Sequence, residues 1–126
     1  MDVNLDRVVE TAKMVVAERG ADYVYRKPTN MFGVLTCLYV DQDQPSCLVG
    51  HVLHRLGVPL ETLKSADQFS FPATDVCCDL LRGSAFDDEE IGDFLDAVQG
   101  RQDIGRTWGE ALQHGLEALA DTRGVA

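Results

Sequence analysis

Cys47, His51 and His54 are the side chains in this sequence best suited to chemistry. A thiolate and two imidazoles are donors that zinc favours, and a thiol beside an imidazole is the pair a cysteine hydrolase uses. Spacings of four and three residues carry all three to one side of a helix that turns about 100° per residue. The other side carries Leu48, Val49, Val52, Leu53 and Leu56, a stripe that reads as core. Ser46 is placed to cap this helix and Gly57 to end it in a left-handed conformation. Gly50 lies beside the thiol and the imidazoles and lets another segment approach closely, which would make Cys47 part of the core rather than a reactive surface.

Each chemistry needs a partner for that face. A tetrahedral zinc site built on Cys47, His51 and His54 needs a fourth donor, and Cys37, Cys77 and Cys78 are the thiols on offer. No C-x-x-C knuckle announces such a site, and Cys77 falls in an apolar stripe, where a free cysteine acts as a small hydrophobe. A nucleophilic Cys47 gains from the first turn of a helix, whose positive dipole end favours the thiolate. Its general base is harder to find: no later strand carries a histidine, His51 must reach back one turn, and His114 is far along the chain. A nucleophile elbow and a glycine-rich phosphate loop are both missing.

The remaining candidate is a surface. Asp87, Asp88, Glu89, Glu90, Asp93 and Asp96 crowd one helix whose apolar stripe is Ile91, Phe94, Leu95 and Val98. The first four are what a helix N-terminus favours for its own stability, but that reason does not extend to Asp93 and Asp96. The resulting negative face is either a solvated surface or, as the candidate partner-binding site, a docking face for a basic patch.

The elements that must position these groups follow from periodicity. Leu5, Val8, Val9, Ala12, Val15 and Val16 predict a helix over 4–19, opened by Asn4 and closed by Gly20. Tyr23–Arg26 and Val34–Val40 read as strands that pair antiparallel across 27–33, and Asp41–Gln44 as the turn into the Cys47 helix. Pro59 predicts a short helix from Leu60 to about Ala66. Phe69, Phe71 and Pro72 mark a loop anchored by aromatic side chains. Thr74 is the expected cap of a helix burying Val76, Cys77, Leu80 and Leu81. Two capping-box patterns, Asp87 with Glu90 and Thr107 with Glu110, start the last two helices, the second burying Trp108, Leu112, Leu116 and Leu119. Residues 99–109 form the corner between them. The expected fold is mainly α, of the α+β kind: five or six helices around one small antiparallel β-hairpin, in a single domain over 1–126 with 120–126 frayed.

Bulk properties narrow the function classes. The 126 residues carry a net charge of −10, distributed unevenly. Residues 1–27 hold five acids and five bases, 28–82 six and three, and 83–126 ten and three. Contact with a phosphate backbone needs clustered Lys and Arg, so direct nucleic-acid binding is disfavoured, while a basic protein surface suits the acidic C-terminal third. No apolar run approaches the ~20 residues that span a bilayer, and the N-terminus lacks the pattern of a signal peptide. A cytoplasmic location and reduced cysteines are therefore expected.

Five short blocks carry a resemblance. Tyr23-Val24-Tyr25, Cys37-Leu38-Tyr39-Val40, Pro45-Ser46-Cys47-Leu48-Val49-Gly50 with Leu56-Gly57-Val58, Gln102-Asp103-Ile104-Gly105 and Trp108-Gly109 resemble small proteins encoded by phages of actinobacteria, mycobacteriophages among them, and by their hosts. The similarity spans roughly residues 20–112 and brings no catalytic or binding residues with it. What it implies is a context: a small cytoplasmic protein of a phage or prophage. The expectation is a non-enzymatic protein that binds another protein, host-encoded in that context, without a cofactor. The alternatives are a zinc or cysteine-nucleophile site on the Cys47 helix and a virion component.

Overall fold

Six helices and one minimal hairpin make up the regular structure of residues 3–29 and 32–122, which the computed structural model describes. Helix α1 is Leu5–Arg19; Asn4 accepts a hydrogen bond from Arg7 N at 2.8 Å, and Gly20 closes the helix at φ +103°. Strands β1 (Val40–Asp41) and β2 (Gln44–Pro45) pair antiparallel. Helices α2 (Leu48–Arg55) and α3 (Leu60–Gln68) follow. A single α-turn, α4 (Ala73–Asp75), runs into a π-helical turn at Val76–Leu80, in which Leu81 N reaches back five residues to Val76 O at 2.9 Å. The long helices α5 (Glu89–Asp103) and α6 (Trp108–Thr122) form the most extensive helix pair. The mainly helical fold with one small hairpin is therefore present.

The hairpin is not where the aromatic runs predicted it. It closes over Gln42 (φ +52°) and Asp43 (φ +60°), and this pair of left-handed residues matches the twist of a two-residue β-turn. Tyr23–Arg26 makes only a single bridge, Val24 to Thr107, and the 34–40 run is bridged only at Leu35, to Thr29; residues 30 and 31 of the expected turn lie outside the described residues. The physical reason is that other groups take up these backbones. Trp108 N donates to Tyr23 O at 2.8 Å, the Tyr25 hydroxyl bonds Leu38 O at 3.3 Å, and an Asp67 carboxylate receives Tyr39 N and Val40 N. These tyrosines are strand-like in type because they pack in or against the core, and the Trp108 amide, the Tyr25 hydroxyl and the Asp67 carboxylate take the place of a neighbouring strand.

Several helix starts move by one or two residues. Cys47, not Ser46, caps α2, its sulfur accepting from Gly50 N at 3.3 Å, while Ser46 bonds the Tyr25 hydroxyl. Pro59 and Pro72 hold the cap positions of α3 and α4, so Thr74 lies inside α4 and caps nothing. Asp88 caps α5 through Ile91 N at 3.1 Å, and Asp87 receives Gly83 N at 2.9 Å instead of forming a box with Glu90. The Thr107–Glu110 box forms as expected: Thr107 N donates to Glu110 Oε1 at 3.2 Å and Glu110 N to Thr107 Oγ1 at 3.1 Å. Helix α6 continues through Thr122, and residues 123–126 of the expected frayed tail lie outside the described residues.

The core collects on α2, whose Leu48, Val49, Val52 and Leu53 are buried together with Val8 of α1, Phe94 of α5 and Trp108 of α6. The second side of α2 is covered too. Gly50 lies against the Tyr39 carbonyl so closely that a Cβ there would overlap it. Gly100, by contrast, sits inside α5 with nothing within 4 Å of the place a Cβ would take. The two glycines should respond oppositely to alanine. Gly50→Ala should destabilise by about 1–3 kcal/mol in urea unfolding, because overlap outweighs helix propensity. Gly100→Ala should stabilise by about 0.5–1 kcal/mol, because propensity alone acts there.

Candidate functional site

The Cys/His face does not assemble into a reactive centre. Cys47 is 1 % exposed, and burial pushes its thiol well above the ordinary range, against the weaker pull of the Gly50 N–H. A thiol in that state is neither a ready nucleophile nor a ready ligand. His51 is half-buried with its ring 5.8 Å from that of Trp108; burial, with Arg19 and Arg55 nearby, lowers its pKa and favours neutral imidazole. His54 is exposed and donates from Nδ1 to Val58 O at 3.2 Å, its local helix end. Cys37 lies near Gln102 and Asp103, its thiol pushed up to about 12 by burial first and by the Asp103 carboxylate second. Among the described residues, Cys37, Cys47, His51 and His54 are not brought within reach of one ion. The one group of three donors that does converge among the described residues is Asp75, Cys78 and Asp79, within 4.8 Å of one another. It spans the end of α4 and the π turn and is mostly exposed, and Asp79 also pairs with Arg82 at 3.4 Å.

A cleft of about 460 Å³ opens elsewhere, between the 35–39 segment, the end of α3 and the last turns of α5. Among the described residues, three carboxylates line it, Asp67, Asp96 and Asp103, against a single cation, Lys27. Asp67 is committed to structure. Its two oxygens accept Tyr39 N at 2.7 Å and Val40 N at 3.0 Å, and burial pushes its carboxyl up to about 6 despite those bonds. The Tyr39 hydroxyl donates to Phe71 O at 2.7 Å and also lies 3.3 Å from Gln99 Oε1, fixing the back wall. Asp103 accepts Gln102 Nε2 at 3.0 Å. Asp96 is raised by partial burial and by the charges of Asp93, Asp75 and Asp103.

A second cleft, about 560 Å³, shares Leu38, Asp67 and Ser70 with the first and is lined in addition by Phe32 and Val40. Large apolar side chains that the fold leaves in solvent line the joined groove, Phe32 81 % exposed and Leu35 67 %, and Phe69, between the lining residues Gln68 and Ser70, is 64 % exposed. Phe69 therefore does not anchor the 67–73 loop as expected; Phe71, half-buried, does.

The acidic helix divides as its sequence suggested. Asp88 is the cap of α5, Asp87 holds Gly83, and Glu89 and Glu90 fill the first turn, where the helix dipole favours negative charge. Asp93 and Asp96 have no such role and continue into the cleft through Asp96. Neither Asp67 nor the Asp75–Asp103 neighbourhood was identified from the sequence. An isolated aspartate near a helix end carries no periodic signal, and its backbone partners are 27 and 28 residues away.

Comparisons with protein-family models, with curated proteins and with solved structures find no match. No helix among the described residues is long and apolar enough to cross a membrane.

Thiol reactivity follows from burial. Iodoacetamide at neutral pH should label exposed Cys78 first in the native protein. Cys37 should react slowly and Cys47 and Cys77 only after unfolding, as peptide mapping by mass spectrometry will show. Asp67 gives a signed pH effect. A carboxyl whose folded pKa is raised binds its proton more tightly when folded, so its contribution is fully present below the unfolded value and is lost as pH rises through about 6. Between about pH 4 and 7 the wild type should lose stability relative to Asp67→Asn, with a constant difference above that range, measured by urea unfolding at fixed pH.

Proposed function

We propose that the protein acts without catalysis, as a binding module for a basic protein partner. The observation that carries this reading is the joined groove, in which exposed Leu35 lines the first cleft together with the carboxylates of Asp96 and Asp103 and exposed Phe32 lines the second. Exposed aromatic and aliphatic side chains grouped around a polar cleft favour recognition, since they gain by being covered. The charges favour a cationic partner. Among the described residues no Lys or Arg forms an ion pair with Asp75, Asp93, Asp96 or Asp103. Their mutual repulsion, which adds to burial in raising the pKa of Asp96, is relieved by an incoming ammonium or guanidinium group. Lys and Arg of the partner then supply charge, and its apolar side chains supply area.

The surface expected at Asp87, Asp88, Glu89, Glu90, Asp93 and Asp96 is thus narrowed to Asp93 and Asp96, extended by Asp75 and Asp103. The resemblance to proteins of actinobacterial phages and their hosts supports a host protein as the partner and the host cytoplasm as the place. Tagged protein incubated with actinobacterial lysate should retain a basic protein that elutes as salt rises, because rim charges are screened. The Asp93→Lys/Asp96→Lys double variant, folded by circular dichroism, should lose that partner by tenfold or more, on the order expected when attraction becomes repulsion. Unchanged capture by this variant would sink the reading.

A further inference from the structure

The 35–37 segment bordering the cleft has an open side. Thr29 and Leu35 face each other as an antiparallel bridge, and the hydrogen bond beside them runs from Thr36 N to Pro28 O at 2.9 Å. In such a ladder hydrogen-bonded and non-bonded positions alternate, so the backbone groups of Leu35 point away from Thr29, and those of Cys37 repeat that direction two residues on. Among the described residues no backbone hydrogen bond engages the N–H or C=O of Leu35 or Cys37. Beyond them the chain is closed off: Leu38 N meets the Tyr25 hydroxyl at 3.5 Å, and Asp67 takes up Tyr39 N and Val40 N. Leu35 and Cys37 both line the cleft that holds Asp96 and Asp103.

We infer that the cleft takes an extended, basic segment of a protein partner as an added strand along Leu35–Cys37, with its Lys or Arg side chains directed to Asp96 and Asp103. This rests on the binding-module reading and specifies its mode. Two independent features select the occupant. The unpaired edge supplies main-chain donors and acceptors to any extended chain, the general basis of strand addition. Charge then discriminates: three carboxylates against one lysine in the same cleft reject an acidic segment and favour a cationic one. Alternation along the added strand suits the site, since one face meets the carboxylates while the other covers Leu35 and its exposed neighbours.

The test is a titration of the full-length, isotope-labelled protein with a six-residue peptide of alternating valine and lysine, followed by amide NMR. The Leu35 and Cys37 amide signals should move downfield and exchange more slowly with solvent. Asp96→Asn should weaken binding about threefold, as for a partly exposed charge pair. The same peptide with N-methylated backbone amides keeps its charge but cannot pair. If it binds equally well, strand addition is overturned while the basic-partner reading stands. If a valine–glutamate peptide binds as well as the lysine one, both are overturned. Protection of the same amides in concentrated protein without peptide, accompanied by dimer formation, would assign the edge to a second copy and overturn the basic occupant. Absence of any shift at Leu35 and Cys37 with the lysine peptide would also overturn the proposal, whatever the lysate experiment gives.

Discussion

The amide of Leu48 begins helix α2 in the middle of the core, and the side chain of Gln102 is what satisfies it. Gln102 is 2 % exposed, and its Oε1 accepts from Leu48 N at 2.8 Å. A helix start leaves its first amides without intrahelical partners, and at a buried start water cannot supply them. An unsatisfied donor there costs about 1–3 kcal/mol, a large share of the stability of a chain this size. Gln99, one turn earlier on α5, serves the start of α4 in the same way, its Oε1 accepting from Ala73 N at 3.1 Å. One helix therefore supplies side-chain acceptors to two others, and their relative placement is set by hydrogen-bond length as well as by packing.

Close backbone approach completes this joint. Gly50 admits the Tyr39 carbonyl on the side of α2 away from its leucines, and Gly109 admits Ala21 at the start of α6, where Gly109 N donates to Ala21 O at 2.9 Å. Trp108 fills the space between, its ring 4.8 Å from that of Tyr23 with the Arg19 guanidinium 5.5 Å from it. The Pro-Ser-Cys-Leu-Val-Gly and Gln-Asp-x-Gly-x-x-Trp-Gly blocks meet at the hydrogen bond from Leu48 N to Gln102 Oε1, while their glycines, Gly50 and Gly109, admit Tyr39 and Ala21. Blocks that look chemical in sequence, with a cysteine and adjacent acids and amides, here join helices.

What could be read in advance depended on the range of the interaction. Helix stripes such as Ile91, Phe94, Leu95 and Val98, the Asn4 cap and the Thr107–Glu110 box are local, and their periodicity or spacing places them. Contacts between distant residues are not local. Nothing around Asp67 or Gln102 foretells that each will bond a backbone amide 27 or more residues away. The strand misreading has the same origin. Tyr23, Tyr25 and Tyr39 satisfy a strand pattern because aromatic residues are buried in strands, but a side-chain hydroxyl or a carboxylate can take the place of a neighbouring strand. The Cys47 face was legible as a spacing, yet spacing does not say which side of a short helix will be covered. Gly50 was the signal that it would be.

The joint also sorts the carboxylates of the cleft by the freedom they retain. Both oxygens of Asp67 are held by the backbone of 39 and 40, so it shapes the cleft and has little left for a ligand. Asp103 spends one oxygen on Gln102, the side chain that caps α2, so a cation drawn to Asp103 also acts on the orientation of the cap. Asp96 lies on the same helix with like charges on several sides and, among the described residues, no side-chain hydrogen bond to another element. The group with the least structural duty is thus the one whose charge is least compensated. A fold that depends on α5 for its helix caps can still vary position 96 at small structural cost, which is the property a recognition residue needs.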